Sequence, residues 1–119
     1  MKIAIIGAAY TGLAAAEYLR NKGHTISVTT TNEARVPQLS AVADRVVVMK
    51  GSDRDKMREL IADQDIVLMT VAGGMVERDG KYVMDLDLYR DAYVGTAESL
   101  VESLGVAPEL RQIIFTGSW

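Results

Sequence analysis

Apolar residues in this chain come in short β-branched runs, and the stretches between them carry apolar residues at helical spacing. Ile3-Ala4-Ile5-Ile6 is continuous and apolar, as a strand buried on both faces requires. Thr11 to Lys22 places Leu13, Ala16 and Leu19 at helical spacing, and Gly23 ends the segment as a C-cap residue. Thr25 to Thr30 reads as a second strand, and Glu33 to Ala43 as a short helix that Pro37 makes irregular near its start. Arg45 to Met49 is the third strand. Asp53 to Ala62 is a helix with acidic residues in its first turn and Met57, Leu60 and Ile61 on one face. Ile66 to Val71 is the fourth strand, Leu86 to Leu104 a long helix opened by Asp85 or Asp87 and closed by Gly105, and Arg111 to Thr116 the fifth strand. Between strand four and the long helix, Asp79-Gly80 separates two strand-like runs and signals a hairpin. This alternation predicts an α/β fold, a parallel sheet of five strands in the order 3-2-1-4-5 with helices on both faces.

The 119 residues suit one domain, and 49% apolar residues allow a packed core. A net charge of −3 argues against nucleic acid or an anionic membrane surface as the partner. The absence of Cys excludes disulfides, thiolate catalysis and Cys-based zinc sites, and His24, the only His, leaves no metal centre of several imidazoles. Lys2 and the apolar run ending in Ala14-Ala15-Ala16-Glu17 imitate a secretory signal, but Gly7, Tyr10, Thr11 and Gly12 interrupt the run at the spacing of a strand, turn and helix. No run approaches the roughly 18 apolar residues of a membrane helix. The expectation is a cytoplasmic protein.

Gly7-Ala8-Ala9-Tyr10-Thr11-Gly12 lies between the first strand and the first helix. It matches G-x-G-x-x-G except that Ala9 holds the second glycine position. Gly7 permits the tight turn, Gly12 lets the helix approach the strand, and the amides around Tyr10, Thr11 and Gly12 open a helix N-terminus where a pyrophosphate is favoured. A methyl group at Ala9 intrudes where the backbone would approach the phosphates. This is the signature of a Rossmann-type, dinucleotide-binding sheet. The end of the second strand, where an acidic residue would hold the ribose hydroxyls of NAD, reads Thr29-Thr30-Thr31-Asn32-Glu33-Ala34-Arg35. Thr30, Thr31 and Asn32 are suited to contact a 2′-phosphate and Arg35 to neutralise it, which leans the cofactor towards NADP over NAD. The alternative is that Asn32 or Thr31 caps the second helix and Arg35 is a solvated charge.

The chain resembles the N-terminal half of the extended or atypical short-chain dehydrogenases/reductases, the NAD-dependent epimerase/dehydratase family. Four stretches carry the resemblance: Lys2 to Gly12 followed by Gly23-His24; Gly51-Ser52-Asp53-Arg54-Asp55; Asp65-Ile66-Val67-Leu68 through Val71-Ala72; and Tyr89 to Thr96 followed by Phe115-Thr116-Gly117-Ser118. The resemblance implies that Ser52 stands in place of the usual adenine-contacting Asp, that Val71 and Ala72 pass the cofactor's ribose, and that Ser118 matches the family's catalytic serine. The family's chemistry also needs a Tyr-x-x-x-Lys pair on the helix after the fifth strand, which these residues do not contain. The expectation is therefore a single NAD(P)-binding domain, 1–119, truncated before the catalytic helix, lacking the substrate-binding half and catalytically incomplete by itself, as either a fragment of a longer reductase or a binding module. The spacing does occur at Tyr18 to Lys22, but on the first helix, at the end far from the phosphates. The resemblance also implies a homodimer through Leu86 to Leu104. Two other readings compete: a dinucleotide-sensing module of the NmrA-like or potassium-transport regulatory type, and an interaction protein that has lost its cofactor.

The remaining candidates read as structural. Met49, Met57, Met69, Met75 and Met84 are expected as core filler. Tyr89 and Tyr93 are expected to share a packed helix face. Asp53, Asp55, Asp63 and Asp65 are expected as helix-end or solvated residues, and His24 as a surface residue.

Overall fold

The computed structural model describes residues 1–116. Strands β1 (Lys2–Ile6), β2 (Thr25–Thr30), β3 (Arg45–Val48), β4 (Ile66–Met69) and β7 (Gln112–Phe115) form one five-stranded sheet in the order β3-β2-β1-β4-β7. Every pairing is parallel, and Ile5 lies beside Val28 of β2 and Leu68 of β4. With β7 as the fifth strand, this is the predicted order. β1 from Ile3 to Ile6 and the whole of β4 are apolar without interruption, as strands covered on both faces require. Ile3 and Ile5 of β1 pack with Ile26, Val28, Ala16 and Leu39 on one side, while Ala4 and Ile6 pack with Met57, Leu60, Val67 and Leu100 on the other.

Helix α1 (Tyr10–Asn21) follows β1 and ends where Gly23 takes φ +95. The segment predicted as one helix from Glu33 to Ala43 is divided. Asn32 caps a 3-10 turn, Glu33–Arg35, and α2 (Val36–Ser40) begins beside Pro37, which has no N–H to offer the preceding turn. Helix α3 (Arg54–Ile61) is capped by Asp53. Hairpin strands β5 (Met75–Arg78) and β6 (Lys81–Met84) form a separate two-stranded sheet. Asp79 (φ 51) and Gly80 (φ 75) make its turn, as a two-residue hairpin requires. The hairpin corrects one expectation: Met75 and Met84 are 54% and 46% exposed, because the hairpin stands off the main sheet, whereas Met49, Met57 and Met69 are core.

The predicted long helix is helical from Leu86 to Val106 but not uniform. Asp85 caps α4 (Leu86–Arg90), Asp91–Gly95 widens into a π turn, α5 (Thr96–Ser103) resumes the α pitch, and Leu104–Val106 closes as a 3-10 turn. Tyr89 and Tyr93 stack with ring centroids 4.6 Å apart. At the edge, β7 leaves Ile113, Ile114 and Phe115 exposed. Near the N-terminal ends of the strands, a hydrogen bond from the Gln64 amide, with Lys2 and Arg45 nearby, holds the Asp63 carboxyl below its usual range. No helix among the described residues is long and apolar enough to cross a membrane.

The two-sided core predicts an asymmetric response to truncation. Ile5→Ala, fully buried, should cost about 2–5 kcal/mol. Ile114→Ala on the exposed edge strand should cost well under that. Urea midpoints of the two variants decide it; equal shifts would contradict this account of the core.

Candidate functional site

A cleft of about 330 Å³ opens at the C-terminal edge of the sheet. Its walls are the β1–α1 turn (Gly7, Ala8, Ala9), the end of β2 (Thr29, Thr30, Thr31) with Arg35, the segment after β3 (Met49, Lys50, Gly51), the segment after β4 (Val71, Ala72, Gly73, Gly74), and Leu88, Asp91, Ala92 and Thr96 of the long helix. In an open parallel sheet, ligands bind at this edge, beside the strand where the order reverses. Here that strand is β1.

The β1–α1 turn is held from both sides. Gly7 takes φ +88, and a Cβ on it would lie 2.8 Å from the Val71 Cα. Its N–H donates to Thr29 Oγ1 at 2.9 Å, and the Ala8 N–H donates to the Thr29 carbonyl at 2.9 Å. Thr70 Oγ1 donates to the Gly7 carbonyl at 2.6 Å. Gly12 packs beneath this carbonyl, where a Cβ would come within 2.6 Å of it. The turn therefore delivers the start of α1 to the cleft in a set orientation. No side chain caps α1. Asn32, Asp53 and Asp85 cap the other helices that follow strands, so among the described residues α1 alone enters from a strand with its first amides unclaimed by a side chain. Free amides at a helix start attract an anion.

The residues singled out in sequence separate into groups. Gly7, Ala9, Thr30, Thr31, Arg35, Val71 and Ala72 come together on the cleft. Tyr10, Thr11 and Gly12 form the first turn of α1 behind it. The Arg35 guanidinium donates to the Ala8 carbonyl, which anchors it against the turn that precedes α1. Asn32 accepts from the Ala34 N–H at 3.0 Å, so its side chain is the cap that the alternative reading named. Thr30 is buried, and its Oγ1 accepts from the Asn32 N–H at 3.1 Å. Ser52 donates to the Asp91 carboxylate at 3.1 Å. Ser118 lies outside the described residues. Tyr18 and Lys22 pair towards the far end of α1, roughly 12 and 18 Å along the helix from its start.

Sequence reasoning missed Thr70, Lys50 and Asp91. The hydroxyl of Thr70 at the end of an apolar strand was the readable signal for the first. Nothing local marks the other two. Among the described residues no cluster of acidic or imidazole side chains could hold a metal ion. The donor set fits a phosphate-bearing ligand: an uncapped helix start, a backbone turn that tolerates no Cβ at Gly7 or Gly12, and two cations, Arg35 and Lys50, on one opening.

Comparison with known proteins agrees. A family profile described as NAD(P)H-binding matches residues 7–113. No curated protein matches the chain. Among solved structures, the fold is similar to a UDP-glucose-4-epimerase from Stenotrophomonas maltophila with bound NAD, at TM-score 0.74 and 20% identity over 99% of this chain and 37% of that one. It is similar to a UDP-glucose 4-epimerase from Thermotoga maritima, at TM-score 0.77 and 16% identity over 99% of this chain and 38% of that one. A short-chain dehydrogenase/reductase from Serratia marcescens has TM-score 0.72 and 18% identity over 98% of this chain and 55% of that one. The chain thus spans 37% to 55% of the length of these structures. At such identities the likeness is one of fold.

The clamped turn makes Gly12 a sensitive position. Gly12→Ala should destabilise the protein by about 1–3 kcal/mol, although alanine favours helix elsewhere. Thermal unfolding of the variant checks this, and an unchanged midpoint would refute the close approach.

Proposed function

The chain belongs to the NAD(P)H-binding family, and from that premise we propose that its cleft takes NADP(H) in preference to NAD(H). The carrying observation is the Arg35 guanidinium, which opens on the cleft beside Thr30 and Thr31 at the end of β2, where no carboxylate lines the wall. A carboxylate there would serve ribose hydroxyls and repel a 2′-phosphate. A guanidinium has five N–H donors. One is committed to the Ala8 carbonyl, and the others remain for a phosphate.

The residues divide the work by strand. The uncapped amides of α1 bind the pyrophosphate, and Gly7 holds the turn that aims them. Thr30, Thr31 and Arg35 bind the adenosine ribose and its phosphate. Val71 to Gly74, on the other side of β1, line the nicotinamide half. Gly73 and Gly74 let that segment lie against Ala92 and Tyr89, because a Cβ on either would come within 3.0 Å of the helix. When bound, the nicotinamide supplies hydride transfer. We read residues 1–119 as one cofactor domain of an epimerase- or reductase-like protein whose substrate-handling groups are supplied outside it. The support is the placement of Tyr18 and Lys22, remote from the cleft, and the fraction of each similar structure that the chain covers.

The long helix supports a second copy of the chain as partner. Val94 and Val101, seven residues apart and so on one face, are 47% and 65% exposed, and Leu86 at the start of α4 is 74% exposed.

Titration calorimetry tests the cofactor reading. NADPH should bind more tightly than NADH, and Arg35→Ala should remove most of the difference. A charge-assisted contact of about 1.5–3 kcal/mol corresponds to a loss of roughly tenfold or more for NADPH. Equal affinities in the wild type would overturn the preference. For the dimer, light scattering should show twice the monomer mass, and Val101→Glu should return it to the monomer; a wild-type monomer at high concentration refutes it.

A further inference from the structure

The β3–α3 segment and the long helix meet at one end of the cleft, in an arrangement that phosphate binding does not require. On a helix of 3.6 residues per turn, residues five apart point roughly 140° away from each other. The π turn Asp91–Gly95 closes from i to i+5 and brings such residues onto one side. Asp91 and Thr96 accordingly both line the cleft. The segment after β3 lies hard against them. A Cβ on Gly51 would collide with Thr96, and a Cβ on Gly95 would lie 3.0 Å from that of Ser52.

This close approach positions one carboxylate. Ser52 Oγ donates to Asp91 Oδ2 at 3.1 Å. Oδ1 has no hydrogen-bond partner among the described residues. Asp91 is also the one acidic residue among the described residues that line the cleft, whose cations are Arg35 and Lys50. An ionised carboxylate only accepts, so this end of the cleft suits a ligand group that donates.

The sheet order says which group that is. Phosphates sit at β1 and the adenosine ribose at the end of β2. The next strand outward is β3, so the base falls at Lys50 to Ser52. We propose that Asp91, oriented by Ser52, accepts a hydrogen bond from the exocyclic amino group of adenine and sets the base specificity of the cleft. The proposal rests on the dinucleotide reading above.

The test compares NADPH with its hypoxanthine counterpart, in which a carbonyl oxygen replaces the amino group and would face the carboxylate acceptor to acceptor. Calorimetry on the wild type should show the adenine form binding about tenfold tighter. Asp91→Ala should weaken the adenine form about tenfold, leave the hypoxanthine form nearly unchanged, and bring their ratio close to one. Asp91→Asn, whose side-chain carbonyl still accepts, should retain part of the discrimination. Asp91 is exposed, and the unfolding midpoint confirms that the variants are folded. Equal weakening of both forms, or a ratio unchanged from wild type, would overturn the assignment while leaving the dinucleotide reading intact. Wild-type protein that binds neither form would overturn both.

Discussion

The carbonyl oxygen of Gly7 is the point on which the cleft depends. Thr70 donates to it from the end of β4, Gly12 stands against it without a side chain, and the amide of the same residue donates to Thr29 on β2. Three neighbouring strands are thus tied to one turn. The groups involved are buried or half-buried, where an unpaired polar atom costs about 1–3 kcal/mol. Sliding β2 or β4 along its neighbour would break these bonds and also turn the apolar residues of that strand to the wrong face. The turn and the register of the sheet therefore support each other.

The same economy governs the helix starts. Asn32, Asp53 and Asp85 close the helical segments after β2, β3 and β6 with their own side chains. At α1 the capping position is Ala9, which has no oxygen to offer. Taken alone, that is a weak helix start. Placed on the cleft, beside Arg35 and Lys50, it is a set of donors kept available for an anion. The Ala9 methyl replaces a hydrogen at the cleft wall, yet the turn keeps the Gly7 conformation and the Gly12 contact that position α1. Arg35, Lys50 and the carboxylate of Asp91 put charges of both signs on the cleft wall.

The outer surfaces differ from the centre. β1 and β2 are covered on both faces, whereas β7 carries Ile113, Ile114 and Phe115 into solvent as an edge strand. The hairpin β5–β6 and the outer face of the long helix expose further apolar side chains, including Tyr82, Leu86 and Val101.

The sheet order, the two-sided core, the hairpin turn and the glycine-rich turn were legible in the sequence, because each is written in a local period or in a residue with special backbone freedom. Short apolar runs mark doubly covered strands, Asp79-Gly80 marks a left-handed turn, and Gly7 and Gly12 mark a close approach. The start of the long helix was readable as a cap at Asp85 or Asp87. Other features belong to tertiary structure alone. Asn32 was compatible with both a ligand contact and a cap, and only the geometry of the 3-10 turn assigned its side chain to Ala34. The π turn has no local signature at Asp91–Gly95; it accompanies the packing of α5 on α3 and of Gly51 on Thr96. The pairing of Ser52 with Asp91 spans 39 residues. Local sequence sets which elements form and which residues they can offer, but which offered groups meet is decided by how those elements pack, and that is a property of the whole chain.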